Sequence, residues 1–166
     1  MYGSGRRSAS ALLTPLATNQ GWLYLAVFID LYSRMVVGWS MEQSMTTELV
    51  LDAFRMGTLR QGRPPLVVHS DRGTQYASEL FRSELEQLDC IQSMSRKGDC
   101  WDNAVAESFF GTLKTENVYR TNFITWRQAK DELFDYIEIF YNKKRAHSAI
   151  GYLTPEEKDQ NAKMVA

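Results

Sequence analysis

Residues 22–30 read WLYLAVFID and residues 34–40 read RMVVGWS, and these two runs decide the class of fold. Both are rich in the β-branched and aromatic residues that favour strands. Only residues 31–33 separate them, which is short enough for a turn between neighbouring strands. We therefore predict an antiparallel hairpin early in the chain.

Helical and strand patterns then alternate. Helical spacing of apolar residues predicts a helix over residues 46–60, and a second helix begins at about Ser78. Between them a buried strand ends at Asp71, and residues 91–94 suit a short fifth strand. Two later helices are predicted from their starting caps, at Thr125 and Thr154. This order is an α/β pattern with an antiparallel start.

Composition and charge restrict the class of protein. A chain of 166 residues, 44% hydrophobic and 23% charged, is long enough for one globular domain with its own core. Its net charge of −1 argues against a protein coated in basic residues, so any contact with nucleic acid must come from local patches. No apolar run approaches the length of a membrane span, and we expect a cytoplasmic protein.

The cysteines and histidines are few. Cys90 and Cys100 form no CxxC pair, and the chain has only two histidines, His69 and His147. This set argues against a zinc site and is typical of reduced thiols in a cytosolic protein.

Asp71 ends the run PPLVVHSD over residues 64–71 and is followed by Arg72 and Gly73. The run predicts a buried strand that stops at a turn, which is where α/β proteins place active-site groups. An aspartate that merely caps the strand end explains the residue equally well.

Glu107 lies in a stretch with the periodicity of an amphipathic helix. Apolar side chains share one face of this helix, whereas Glu107, Gly111 and Lys114 group on another. An acid and a base on one exposed face suit a phosphate backbone, although a solvated surface gives the same pattern. One carboxylate at a strand end and one on a helix can converge on Mg²⁺, which prefers oxygen ligands.

The chain resembles the catalytic domain of insertion-sequence transposases of the retroviral-integrase type. The matching segments, in order, are residues 22–26, 29–34, 69–76, 93–98, 102–110 and 141–152. The likeness extends from about Ala17 to Glu157. It implies a ribonuclease-H-like α/β fold, a five-stranded mixed sheet with helices on both faces. It also implies an Asp-Asp-Glu triad that holds two Mg²⁺ or Mn²⁺ ions, nicks DNA and transfers the freed 3′-hydroxyl to a target phosphodiester.

Residue roles follow from the resemblance. It implies that Asp71 and Glu107 are catalytic metal ligands and that Lys114 contacts the DNA end. Arg96 and Lys97 lie in the loop before the Glu107 helix, where a DNA contact and a solvated charge cluster are about equally supported.

The chain departs from the family pattern at its start. Alignment of residues 17–22 with that pattern puts Leu12 where the first aspartate belongs, and residues 1–16 contain no carboxylate. Pro15 adds a second objection, since proline cannot donate to the ladder of a central strand. We therefore divide the chain into an atypical segment in place of the first strand (1–16), the catalytic core domain (17–160) and a tail (161–166).

Three functions follow as hypotheses. The first is a transposase core acting on DNA ends and target DNA, impaired by Leu12. The second is a non-catalytic DNA-binding or assembly module that self-associates or joins intact transposase subunits. The third, a nuclease of the ribonuclease H type, is disfavoured because Lys114 and residues 141–152 match the transposase pattern.

Overall fold

A five-stranded mixed sheet is the centre of the computed structural model, which describes residues 6–94 and 104–165. The strands are β1 (Ser8–Thr18), β2 (Gly21–Asp30), β3 (Val36–Glu42), β4 (Val67–Ser70) and β5 (Ile91–Met94). Their spatial order is β3-β2-β1-β4-β5. The pairs β1–β2 and β2–β3 are antiparallel, whereas β1–β4 and β4–β5 are parallel. The predicted mixed sheet, its hairpin and its fifth strand are confirmed.

Five α-helices connect and follow the strands in the described part of the chain. They are α1 (Thr47–Gln61), α2 (Glu79–Gln87), α3 (Ala104–Glu116), α4 (Trp126–Phe134) and α5 (Pro155–Val165). A π-helical segment, Asp135–Tyr141, continues α4, and single 3-10 turns occupy Val118–Arg120 and Ser148–Ile150.

The predicted helix starts are confirmed by their capping bonds. The hydroxyl of Thr125 accepts from the backbone N–H of Gln128 at 3.0 Å. Thr154 and Glu157 form a reciprocal capping box: each side chain accepts from the other's backbone N–H, at 3.2 and 2.8 Å. Each bond satisfies an N–H group that the first helical turn leaves without a partner.

Helices cover both faces of the sheet. One face packs against α1 and α2 through a core that includes Phe28, Phe54 and Phe81. The other packs against α3, α4 and the π-helical segment through a core that includes Phe109 and Tyr141, whose rings meet edge to face at 4.8 Å. No helix in the described ranges is long and apolar enough to cross a membrane.

Strand β1 passes through Pro15 without interruption, so the objection to this residue was wrong. The backbone N–H of Leu31 bonds Ser8 O, which shows that even-numbered residues of β1 exchange bonds with β2. Pro15 is odd-numbered, and its nitrogen therefore faces away from β2. On that other side β4 pairs only with Ser8 to Ser10, so the proline removes no ladder bond. The segment expected in place of the first strand is thus itself a strand. The domain boundary after residue 16 falls within it and stays a prediction.

The two ends of the described chain meet at Arg7. Its guanidinium bonds Asp30 at the end of β2 at 2.7 Å and Asp159 on α5 at 3.0 Å. Both aspartate side chains are more than 90% buried, and Lys163 and Ser33 supply their remaining bonds. The last helix is therefore fixed to the sheet by a side chain that precedes the first strand.

Candidate active site

The strand register carries Leu12 and Asp71 past the same end of the β1–β4 ladder. Strands β1 and β4 run parallel, with Ser10 opposite His69. The ladder ends at this pair, and Leu12 and Asp71 each lie two residues beyond it. The position where the resemblance expects an acid therefore lies near the same end of this ladder as the second acid, and it carries an isobutyl group.

Leu12 lies on the face of the sheet that α3 covers. Leu12 packs against the core that contains α3, whereas its neighbours Ala11 and Leu13 belong to the core under α1. Val68 belongs to that second core, so the alternation of β4 directs His69 towards the α3 side, and Asp71 follows one residue after the strand ends.

A tight turn fixes the carboxylate of Asp71. Its Oδ1 accepts from the backbone N–H of Gly73 at 2.7 Å. A Cβ at Gly73 would lie 2.9 Å from that oxygen, so the close approach depends on glycine. Burial, and then the nearby charge of Asp71, raise the pKa of Tyr76 well above its usual value. The phenol therefore stays protonated next to the acid.

Helix α3 presents Glu107 and Lys114 over this face. Its buried residues are Ala106, Phe109, Phe110 and Leu113, which pack on the sheet together with Leu12. Glu107 is exposed and Lys114 is half-buried, and their separation of seven residues puts both on one side of the helix. The predicted amphipathic helix is confirmed. The roles of Asp71, Glu107 and Lys114 stay predictions, and Arg96 and Lys97 lie outside the described residues.

The two carboxylates of Asp71 and Glu107 suit one metal ion better than two. No cluster of three or more His, Cys, Asp or Glu side chains able to hold a metal occurs within residues 6–94 and 104–165. Mg²⁺ is commonly held by one or two carboxylates, and water and phosphate oxygens complete its ligands. Asp71 and Glu107 are the two carboxylates available for such an ion. A pair of ions needs a bridging ligand as well, and Leu12 has no lone pair. These residues do not fit a two-ion site.

Sequence reasoning gave no chemistry to Arg34 or His147. The structure brings these residues together at one pocket beside α3, with Arg145. Only their occurrence in segments that match the family pattern, residues 29–34 and 141–152, could have drawn attention to them.

Comparisons with known proteins agree with this geometry. Two models, both described as integrase core domain, match residues 12–100 and 88–155. Transposase InsF of insertion sequence IS3A from Escherichia coli (strain K12) is 47% identical over 158 residues, which are 94% of this chain and 55% of that protein. The transposase of IS904 from Lactococcus lactis subsp. lactis (strain IL1403) is 45% identical over 146 residues, 87% of this chain and 58% of the relative. The chain thus spans little more than half the length of these relatives.

The fold is shared with viral proteins of much lower identity. The HTLV-2 integrase catalytic core domain, in a trimeric form in complex with magnesium, superimposes with a TM-score of 0.70 at 16% identity. The match covers 94% of this chain and 98% of that one. It confirms the ribonuclease-H-like fold. The chain belongs to the integrase core domain family, and it is homologous to the transposases of insertion sequences.

Proposed function

We propose that this chain is the catalytic core of a DNA transposase in which the first metal-binding acid is missing. The family and the shared fold support the DNA chemistry. The observation that supports the proposed impairment is the register of β1 and β4, from which Leu12 and Asp71 each lie two residues past the last pair, Ser10 and His69. In an intact site two Mg²⁺ or Mn²⁺ ions would stabilise the attacking and leaving oxygens of a phosphodiester displacement.

The roles of the remaining residues follow from their positions. Asp71, held by the N–H of Gly73, and Glu107, exposed on α3, would each offer a carboxylate to a single ion. Lys114 would contact a phosphate two helical turns from Glu107. We propose the same phosphate-contacting role for Arg96 and Lys97, on the basis of the sequence alone.

Restoring the missing acid tests the proposal. We expect Leu12→Asp to bind Mn²⁺ at least about tenfold more tightly, since even changes around a metal site alter affinity by that much. Calorimetric titration measures the affinity, and nicking of supercoiled plasmid DNA with Mn²⁺ measures the activity, which should rise with it.

Two controls test whether the gain depends on the negative charge of the new aspartate, and whether the nicking comes from this chain and not from a contaminating nuclease. Leu12→Asn has nearly the same shape as Leu12→Asp without the negative charge, and it should leave both readouts at the level of the unchanged chain. Glu107→Gln added to Leu12→Asp should abolish the gained nicking. If the unchanged chain nicks as fast as Leu12→Asp, the site is not impaired.

A non-catalytic DNA-binding or assembly module is the second candidate, and Leu12 is the residue that favours it. It predicts DNA affinity without Mn²⁺ binding in both the unchanged chain and Leu12→Asp. We also propose that the chain self-associates or joins intact transposase subunits. Sedimentation of the chain, alone and mixed with an intact relative, measures either association.

A further inference from the structure

An open pocket of about 440 Å³ lies against the flank of α3. The polar side chains around it are the bases Arg34, Arg145 and His147 and the hydroxyl-bearing Ser108, Thr112, Tyr141 and Ser148. Ser108 and Thr112 occupy the strip of α3 next to that of Glu107 and Gly111. Among the described residues, the pocket lining includes three basic side chains and four hydroxyl groups but no carboxylate.

Arg34 brings a positive charge to the pocket. It lies in the turn between β2 and β3 with φ of 64°, a conformation held by the bond from its N–H to Asp30 O at 2.8 Å. Its Nε is buried and has no hydrogen-bond partner in the described structure. The ion pairs found between described residues do not include Arg34.

Arg145, in contrast, is neutralised beneath the pocket. Its Nε lies 3.1 and 3.0 Å from the two carboxylate oxygens of Glu116, and the phenol of Tyr136 donates to the same carboxylate at 2.7 Å. Its Nη1 lies 3.3 Å from Nδ1 of His147. An arginine N–H can only donate, so Nδ1 accepts and the proton of the neutral ring is on Nε2.

His147 adds a second donor without an acceptor. Burial, and then the charge of Arg145, lower the pKa of His147 below its usual range, so the ring is neutral at pH 7. Its Nε2 is buried and meets no oxygen among the described residues with full hydrogen-bond geometry, although the backbone of Tyr141 lies near the ring and partly offsets the lowering of its pKa. Two buried N–H groups at one pocket therefore have no well-oriented acceptor among the described residues, and such groups are costly to leave unmatched.

We propose that this pocket binds one phosphate group of the DNA backbone. A phosphate supplies the acceptor oxygens that Arg34 and His147 lack, and the hydroxyls of Ser108 and Thr112 can donate to it. A strand that crosses the exposed face of α3 at Glu107 passes the adjacent strip that carries these hydroxyls. The choice of DNA as the source of phosphate rests on the proposed function.

Inorganic phosphate tests the pocket without DNA. The chain has two histidines, so the ring resonances of His147 can be followed by NMR against those of His69. We expect phosphate, but not chloride at equal ionic strength, to shift the His147 resonances and to raise their titration midpoint. Arg34→Gln should weaken this response at least about tenfold, as expected for a lost bond between charged groups.

A matched control has the same change of charge elsewhere. Arg82→Gln alters an exposed residue of α2, on the opposite face of the sheet, and should leave the phosphate response intact. Ser108→Glu tests the pocket without touching Arg34: the residue is exposed, and its new carboxylate should repel phosphate. Thermal unfolding shows whether each variant folds. An unchanged His147 response in folded Arg34→Gln or Ser108→Glu would overturn the proposed site.

A second measurement identifies the source of the phosphate. In fluorescence anisotropy with a duplex oligonucleotide, Arg34→Gln should lower affinity and reduce the slope of log affinity against log salt by about 0.9, the value for one lost phosphate contact. Arg82→Gln should keep the slope. If phosphate binds at His147 but the slope in Arg34→Gln is unchanged, the pocket does not serve DNA. A chain that binds no DNA at all would instead refute the proposed function, while the phosphate titration still tests the pocket.

Discussion

At the residue scale, Asn142 connects the end of the π-helical segment to the sheet. The side chain is 1% exposed, and it both accepts from Val36 N and donates to Val36 O, each at 3.0 Å. These bonds satisfy both backbone groups at the first residue of β3. An amide is therefore needed at this position, because no other side chain of this size offers one donor and one acceptor side by side.

We predict that Asn142→Ala lowers the free energy of unfolding by about 3 kcal/mol, since it leaves two buried backbone groups without partners. Urea denaturation measures the loss. Asn161→Ala changes an exposed residue of α5 and should cost little. Equal stability of the two variants would mean that Val36 finds other partners.

His147 should make stability depend on pH. Burial lowers its pKa in the folded chain, so below about pH 6.5 the unfolded chain takes up a proton that the folded chain resists. Stability from this residue is complete above that pH and falls as the solution becomes more acidic. We predict that the unchanged chain loses more unfolding free energy than His147→Gln between pH 7.5 and 5.5, measured by urea denaturation. A larger loss in the variant would reverse the sign of the argument.

The candidate site was only partly predictable from single residues. Asp71 and Glu107 stood out because each acid follows a clear strand or helix pattern. Arg34 and His147 did not, because the feature that marks them is a missing acceptor, and a missing acceptor exists only once the chain is folded. Their contact with one pocket joins segments more than 100 residues apart.

At the scale of elements, β3 and α1 approach each other closely at Gly38. A Cβ there would collide with the carbonyl oxygen of Ala53 and lie 2.7 Å from the backbone nitrogen of Gly57. Both obstacles are backbone atoms of one helix, so relief requires the helix to move as a body. Gly57 faces the same contact, where Val37 Cγ2 would lie 3.2 Å from its added Cβ.

We predict that Gly38→Ala costs about 3 kcal/mol or more, at the upper end for overpacking, because the strand and helix must separate. Gly111→Ala is the control. No atom among the described residues lies within 4 Å of a Cβ at that position, and alanine favours a helix interior. It should stabilise by about 0.5–1 kcal/mol. Thermal and urea unfolding measure both changes, and a neutral Gly38→Ala would contradict the close approach.

Elements with a clear pattern and a cap were predicted well, and those without one were missed. Residues 91–94 form β5 as expected, and Thr125 and Thr154 begin their helices. Strand β1 was not recognised because its first half is buried on both faces and so shows no alternation, and because its proline suggested a break. The π-helical segment has the same apolar spacing as an α-helix, so its wider turns cannot be read from the sequence.

At the scale of the whole molecule, Arg7 joins the two ends of the described chain. We predict that Arg7→Met lowers the free energy of unfolding by about 3 kcal/mol, the lower end for a broken buried pair, because Ser33 and Lys163 still bond the two aspartates. Arg55→Met removes a guanidinium that pairs with Glu84 at the surface and should cost under about 1 kcal/mol. Urea denaturation compares the two variants. Equal losses of unfolding free energy would show that the buried contacts of Arg7 stabilise the fold no more than the surface contacts of Arg55.

The orientation of Pro15 has a consequence for how copies of this chain behave at high concentration. Beyond Ser10, no other strand in the described residues pairs with the edge of β1 opposite β2. An unpaired strand edge can form backbone hydrogen bonds with a strand of another molecule. Pro15 is exposed at this edge and has no N–H to donate to a strand of another molecule. Pro15 therefore removes no hydrogen bond within the sheet, and it opposes the strand pairing between molecules that begins aggregation.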